Sequence, residues 1–342
     1  MVTRLSAYIT DNVDPYKNLA IEEFLTFHVE PSECILFLWQ NKHTVVIGKN
    51  QNAWKECNVH KLEEDGGHLV RRLSGGGAVF HDLGNLNFTF CVREEDYDVD
   101  RQMDVILRAV RKLGIDAIKT GRNDITADGR KFSGNAFYKS KGCCYHHGTL
   151  LVDVDQGQMQ KYLNVSQAKL RSKGVDSVRS RTVNLKELNP QLTIELLKKS
   201  LIEALGEVYG MSASGEMTVL PVTLIPDERL DWTEIGVNEE KFSSKDWKYG
   251  RKIPFEHSMT QRFTWGEVEI HLHVTGGVIK DVMVYSDAME QDLSKQIMDS
   301  WRGCSYDLKE LTVSLDAINF ESELDLQIKQ DIGSLLKTQL SA

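Results

Sequence analysis

The chain has 342 residues, 41% of them apolar and 27% charged, with 41 Lys+Arg against 50 Asp+Glu. That balance excludes a disordered polar chain, and the net charge of −9 argues against a protein whose main task is holding nucleic acid through a surplus of cations. The length suits one large domain with a smaller companion. No apolar run approaches the roughly 20 residues of a membrane helix, so a soluble protein without membrane contact is expected. The first residues, MVTRLSAYITDN, have no long apolar stretch and an early acid, unlike a secretory signal or an Arg-rich transit peptide. Six cysteines with no C-x-x-C pair fit reduced thiols in a cytoplasmic protein.

Along the chain, Leu19, Ala20, Phe24 and Phe27 recur at helical spacing after Asp14-Pro15, which predicts a helix over 16–29. The apolar runs 34–39 and 44–48 read as buried strands, and 53–64 as a polar helix. Successive strands are expected at 68–72, 77–81 and 86–92, then a helix over 100–113 carrying Met103, Ile106, Leu107 and Val110. Residues 115–154 are strand-rich, with turns at Asp128-Gly129 and Lys141-Gly142, and a helix is predicted from Pro190 to Tyr209. Residues 226–258 are polar and interrupted by Pro226, Gly236, Gly250 and Pro254, and read as the linker region. Beyond it, Val268, Ile270, Leu272 and Val274 alternate on one strand face, Gly276-Gly277 turns the chain into 278–285, and three helix-like stretches follow. The boundaries adopted are 1–245 for a first domain, 246–258 for a linker and 259–342 for a small α+β module.

Chemistry concentrates in three places. Arg71-Arg72-Leu73-Ser74-Gly75-Gly76-Gly77 precedes the apolar Ala78-Val79-Phe80 and then His81-Asp82. Three glycines let backbone N–H groups approach a ligand, and two arginines offer charge-assisted donors to phosphate or carboxylate. The run is neither a Walker loop nor a dinucleotide fingerprint, because Gly48-Lys49 is followed by Asn50 and a strand, not a helix, follows Gly77. The second place holds Asn123-Asp124, oxygen groups suited to Mg²⁺ or an acid ligand, and Lys131 in a hairpin. The third is Cys143-Cys144-Tyr145-His146-His147-Gly148, where adjacent histidines on a strand must face opposite sides. From Arg122 to Arg181 there are 11 Lys/Arg and 5 Asp/Glu, a net of +6 in a chain whose other residues carry −15. A local excess of cation beside glycine-rich loops suggests a polyanionic ligand such as a nucleotide. His271 and His273 share a strand face, but Glu267 and Glu269 share it too, so a solvated polar face is preferred to a zinc pair. Ser166 and Lys169, at S-x-x-K spacing, are read as helix surface.

The run RRLSGGGAVFHDLGNLNFTF at 71–90 resembles the signature of lipoate–protein ligases. GRNDI at 121–125, GRKFSGNA at 129–136, HHGTLL at 146–151 and SVRSRTVNL at 177–185 match the same family in the same order. RFTWGEVEIHLHVTGGVIKDVMVYSD at 262–287 is similar to the accessory domain of the full-length bacterial members. The resemblance implies an α+β fold: a biotin/lipoate ligase-type catalytic domain of mixed β-sheets packed with helices, plus a small α+β C-terminal domain. It implies ATP with Mg²⁺ and lipoate as substrates, lipoyl-adenylate as the intermediate, and transfer to a lysine on lipoyl domains of 2-oxoacid dehydrogenase complexes or the glycine-cleavage H protein. It places the catalytic lysine at Lys131, contacting both lipoate carboxylate and α-phosphate. ATP-binding positions fall on Arg72, Gly77, Ala78, Val79 and Phe80, and the lipoyl tunnel on Trp39, Gly76 and His81. Asn123 and Asp124 are the candidates for the Mg²⁺–phosphate region. A monomer is expected, since nothing in the pattern demands an obligate interface.

Two rivals differ in chemistry. An octanoyl- or lipoyltransferase on the same fold works through a cysteine thioester, with Cys143 or Cys144 as nucleophile and His147 as base, and has no need of the nucleotide features. A module that only holds lipoate or nucleotide has no need of Lys131, which is present.

Overall fold

The computed structural model describes residues 1–121, 123–164, 182–211, 218–250, 255–318 and 323–340. Arg122, the Ser166–Lys169 pair and residues 177–181 of the SVRSRTVNL motif therefore lie outside the described residues. The chain folds as two compact units: one of Met1–Val46, Cys57–Val70 and Val79–Lys248, the other of Ile47–Glu56, Arg71–Ala78 and Tyr249–Ala342.

The first unit is built on an eight-stranded sheet. Its strands are β1 (Arg4–Ile9), β2 (Glu33–Trp39), β6 (Asn85–Arg93), β7 (Ala117–Thr120), β8 (Asp124–Ala127), β9 (Arg130–Ser140), β10 (Cys143–Leu151) and β11 (Val222–Leu224), in the order β11-β1-β2-β6-β10-β9-β8-β7. A smaller sheet has the order β4-β3-β5, from β3 (Thr44–Ile47), β4 (His68–Arg71) and β5 (Val79–His81). β1 runs parallel to β2 and β11, and the remaining recorded pairs are antiparallel. Strand alternation divides the large sheet into two faces. Cys34, Leu36, Leu38, Phe88, Phe90, Val92 and Cys144 share one core cluster with Met103, Ile106 and Val110 of the Val99–Lys112 helix and Leu197, Leu201 and Leu205 of the Ile194–Tyr209 helix. Each such fully buried Leu or Phe contributes ~2 kcal/mol of transfer free energy. The opposite face carries Trp39, Thr89, Cys91 and His147 toward the Pro15–Phe27 helix, where Thr26 Oγ1 lies 3.5 Å from Cys91 Sγ.

That first helix starts because Asp14 caps it, accepting from the Tyr16 and Lys17 amides, with Pro15 pre-set for the first turn. The segment 53–64 is two helices rather than the single one expected. Ala53–Glu56 ends where Cys57 bridges to Leu163, and Asn58 starts Val59–Glu64, its own N–H donating to Tyr162 O at 2.9 Å. The helix predicted from Pro190 begins at Ile194, capped by Thr193. Residues 232–243 correct the expectation of a polar linker from 226 onward. They form a helix capped by Asp231, buried at Ile235 and Phe242, with Lys241 paired to Glu23 and the Lys17 ammonium over the Trp232 ring.

In the second unit β12 (His257–Arg262), β13 (Glu267–Thr275) and β14 (Val278–Ser286) form an antiparallel sheet. Val268, Ile270 and Leu272 are fully buried with Trp301, Ile328, Ile332 and Leu336 of the helices that follow. Val274 only borders this core, because the register shifts between His273 and Val274.

Candidate functional site

Lys131 stands near the start of β9, just after the Asp128-Gly129 turn, whose two residues have φ of +51° and +70°. Its Nζ lies 2.6 Å from Asp124 Oδ1, the two side chains 37% and 34% exposed. Such a half-wet pair adds little stability, on the order of 0–1 kcal/mol, so its placement matters more than its strength. Pairing runs Asp124↔Gly134 and Ile125↔Ser133, then shifts to Thr126↔Lys131, leaving Phe132 as an extra residue. This bulge reverses the sidedness of β9. Lys131 shares a sheet face with Gly134 and Ala136, hence with His147, Thr89 and Trp39, while Asn135 and His146 share the other. A Cβ at Gly134 would stand 2.8 Å from Lys131 Nζ, so a side chain there would push the lysine head aside.

On the Lys131 face, Glu22 of the first helix is buried and accepts at Oε1 from Thr89 Oγ1 at 2.6 Å, with His147 Nδ1 2.8 Å away. Trp39 Nε1 donates to Thr89 Oγ1 at 3.1 Å, and the Trp39 ring meets His81 edge-on at 6.2 Å. His81 Nδ1 is 3.2 Å from Asn41 Nδ2, and Asn41 in turn accepts from Asn18. The structure thus joins Trp39, His81 and His147 in one buried polar environment. It adds Glu22, Thr89, Asn18 and Asn41, which sequence reasoning missed. The available signal was a carboxylate and an amide at helical spacing on the buried stripe of an otherwise apolar helix.

Asn123 and Asp124 flank the same hairpin. Asn123 Nδ2 donates to Asn135 O, while the Asn135 amide and side chain both donate to Asn123 O. Val79 and Phe80 lie on β5, an edge strand of the small sheet. Val79 is half-buried, and Phe80 is buried with His43 and Tyr162 beside its ring.

In the second unit, both arginines of the glycine-rich run donate to carbonyl oxygens. Arg71 Nη1 reaches Gly48, Lys49 and Gln51 O at 3.2, 2.9 and 2.6 Å, and burial pushes its guanidinium down to about 10. At neutral pH it stays charged. Arg72 Nε donates to Ser74 Oγ and Gly75 O, and its Nη2 to Gly75 O and Gly77 O at 2.7 and 2.8 Å. Gly76 has φ +90°, and its N–H donates to Ala288 O at 2.9 Å, whereas Gly77 faces open space. Here both arginines, expected to meet an anion, donate to the loop's own carbonyls and to Ser74 Oγ.

His271 Nε2 pairs with Glu269 Oε1 at 2.7 Å and His273 Nδ1 with Glu256 at 3.0 Å. Among the described residues no group of three or more His, Cys, Asp or Glu is arranged to hold a metal. Burial pushes the Cys144 thiol up to about 11, which disfavours the thiolate. His147 lies four strand residues from Cys143, ~13 Å along β10, with Glu22 at its Nδ1. The thioester reading thus gains no nucleophile–base pair from this geometry.

The Lipoyl protein ligase A/B catalytic domain model matches residues 14–206, and the Bacterial lipoate protein ligase C-terminus model matches residues 252–336. Lipoate-protein ligase A of Psychrobacter cryohalolentis is 39% identical over 312 residues, covering 90% of each chain. Among solved structures, P. falciparum LipL1 in complex with lipoate superposes with a TM-score of 0.82 at 29% identity, covering 96% of this chain and 99% of that one. A lipoate-protein ligase A bound with ATP gives 0.60 at 25% identity, covering 73% and 99%. A bi-partite lipoate protein ligase of Thermoplasma acidophilum, described with its E2 lipoyl domain, gives 0.62 at 25%, covering 73% and 99%. With the motifs and both family models in agreement, the chain belongs to the lipoate–protein ligase family, catalytic domain and C-terminal module together.

Proposed function

We propose that the protein activates lipoate with MgATP to lipoyl-adenylate and passes the lipoyl group to a lysine of an acceptor lipoyl domain. The observation that carries this reading is Lys131, held by Asp124 on the sheet face that also bears Trp39 and His147. A lipoate carboxylate and an ATP α-phosphate repel one another, and a fixed ammonium where they meet offsets that repulsion as charge develops. The carboxylate oxygen attacks the α-phosphorus, and pyrophosphate leaves. The acceptor ε-amine then attacks the acyl carbon, and AMP leaves. Lys131 serves the first step by exchanging Asp124 for the incoming oxygens.

Arg72, the Gly77–Phe80 backbone and Lys131 hold ATP in this reading, while Trp39, Gly76 and His81 border the lipoyl chain. Asp124 and the side-chain oxygen of Asn123 fit a Mg²⁺ that arrives on the phosphates, since one carboxylate and one amide oxygen are what such an ion takes from protein. Residues 1–245 are the catalytic domain, 246–258 the linker and 259–342 the accessory domain, a division supported by the separate spans of the two family models. The acceptors are lipoyl domains of 2-oxoacid dehydrogenase complexes and the H protein, supported by the archaeal relative described with an E2 lipoyl domain. The protein works in the cytoplasm as a monomer, consistent with free cysteines throughout the described residues and with no described helix long and apolar enough to cross a membrane.

Incubating an apo lipoyl domain with the enzyme, lipoate and MgATP, then weighing the domain by mass spectrometry, tests this. One added lipoyl group, dependent on ATP and insensitive to thiol alkylation of the enzyme, is expected. An unmodified domain overturns the reading, and alkylation-sensitive transfer without ATP favours the thioester route.

A further inference from the structure

His146 is fully buried on the sheet face opposite Lys131, its ring against Phe88, Phe90 and Phe137 at centroid distances of 5.4, 5.8 and 5.0 Å. In that apolar cage burial pushes its pKa down to about 3, so the ring is neutral and carries a single N–H. Each ring nitrogen nevertheless has a polar neighbour. Nε2 lies 2.9 Å from Asn135 Oδ1, and Nδ1 lies 3.1 Å from Gln102 Oε1. The Asn135 amide is fixed in orientation, because its Nδ2 donates to Asn123 O at 3.0 Å and a carbonyl can only accept. Asn135 Oδ1 therefore needs a donor, and the His146 proton sits on Nε2. Nδ1 is then an acceptor, which requires the Gln102 amide in reverse, its NH₂ toward the ring. This reversal also gives the buried Gln102 Nε2, otherwise without a partner, an acceptor in Nδ1.

The result is one directed chain of hydrogen bonds: Gln102 to His146, His146 to Asn135, Asn135 to the Asn123 carbonyl. Asn123 is held three times by Asn135, through two donors onto its carbonyl and through its own side chain onto Asn135 O. The next residue is Asp124, whose carboxylate meets Lys131. Gly148 completes the device: a Cβ there would stand 2.8 Å from Asn135 Oδ1, 2.7 Å from Gly134 O and 2.6 Å from Phe88 Cζ. We propose that His146, as a neutral Nε2–H donor acting through Asn135, is a positioning residue that fixes the Asn123–Asp124 turn opposite Lys131. This rests on the reading of Lys131 as the adenylating cation.

Two variants separate the donated hydrogen bond from simple space filling. His146→Leu fills the cage without a donor, and His146→Gln returns an N–H at comparable reach. The folded Leu variant is expected to lose about tenfold in kcat for lipoate-dependent pyrophosphate release, the worth of one strong hydrogen bond, with KM for lipoate within about twofold, and the Gln variant to recover most of the loss. Full kcat in a folded Leu variant, or equal damage in the Gln variant, overturns the proposal. Should the Leu variant fail to fold, ¹⁵N-histidine NMR of the unmodified protein decides: a neutral Nε2–H ring for the signal lost in His146→Gln is expected, and an Nδ1–H or doubly protonated ring sinks it. The NMR outcome does not depend on turnover, so an enzyme that fails to release pyrophosphate disproves the proposed function without touching this test.

Discussion

Lys131 and the pair Arg71–Arg72 began as similar features, cations set among glycines, and the fold treats them in opposite ways. Lys131 has one carboxylate partner and is about a third exposed, so its charge is available at the cost of one weak ion pair. Arg71 and Arg72 are buried and spread their donors over backbone carbonyls and one hydroxyl. Charge beside glycine thus marks either chemistry or loop construction, and what separates them is the partner: another side chain that can be exchanged, or main-chain oxygens that need a donor wherever they are buried.

Substitutions can break that contrast. The largest effect is expected from Lys131→Ala, which should cut lipoate-dependent pyrophosphate release by about 10²–10³-fold with an unchanged circular dichroism spectrum and melting temperature. Normal release by the folded variant would remove the mechanism proposed for it. Arg71→Met should act on the opposite axis. It leaves the carbonyls of Gly48, Lys49 and Gln51 without this donor and should cost ~2–4 kcal/mol in a denaturant titration; an unshifted midpoint would show the guanidinium to be dispensable to the loop.

Gly148→Ala sharpens the comparison by loading strain onto the Asn135 side of the hairpin. A destabilisation of ~1–3 kcal/mol is expected from overpacking, together with reduced pyrophosphate release, and an unaffected variant would mean that the Asn135 amide has room to move.

The smallest effect concerns acid. His271 and then Lys55 hold the Glu269 carboxyl down at about 2. A depressed folded-state value gives a contribution present above the ordinary 4.5 and lost as pH falls through about 2. Lys55→Met should therefore weaken the protein near neutrality more than near pH 2, read as converging melting temperatures of the two proteins on acidification. A constant gap would assign the loss to packing.

Much of this was legible beforehand, and the exceptions have physical causes. Strand alternation located the 268–274 face, and glycine-flanked turns located both hairpins of the Lys131 region, because these are local rules of backbone geometry. Lys131 itself stood out through its motif. Glu22, Thr89 and Asn135 were hidden, since their importance comes from partners 67, 125 and 11 residues away, and no local pattern encodes such meetings. The 232–243 helix was missed because Gly236 and a polar composition mimic a linker, while its stabilisation comes from packing at Ile235 and Phe242 and from the Lys241–Glu23 pair. The donations of Arg71 and Arg72 to their own loop carbonyls were not legible, because they depend on where the chain turns at Gly48–Gln51 and Gly75–Gly77.

The bulge at Phe132 also imposes a rule of parity. Side chains alternate on either side of Phe132, and that single extra residue is what puts Lys131, four residues before Asn135, on the opposite surface of the sheet. Deleting Phe132, or inserting one residue beside it, would restore plain alternation and leave the ammonium on the Gly134 surface without a bulge, whereas changing the length by two would keep it there only if the bulge were kept. Odd length changes between Lys131 and Gly134 should therefore go with loss of the bulge, and even ones with its retention. A functional relative with an odd change should have a regular strand there, with Lys131's counterpart on the same surface.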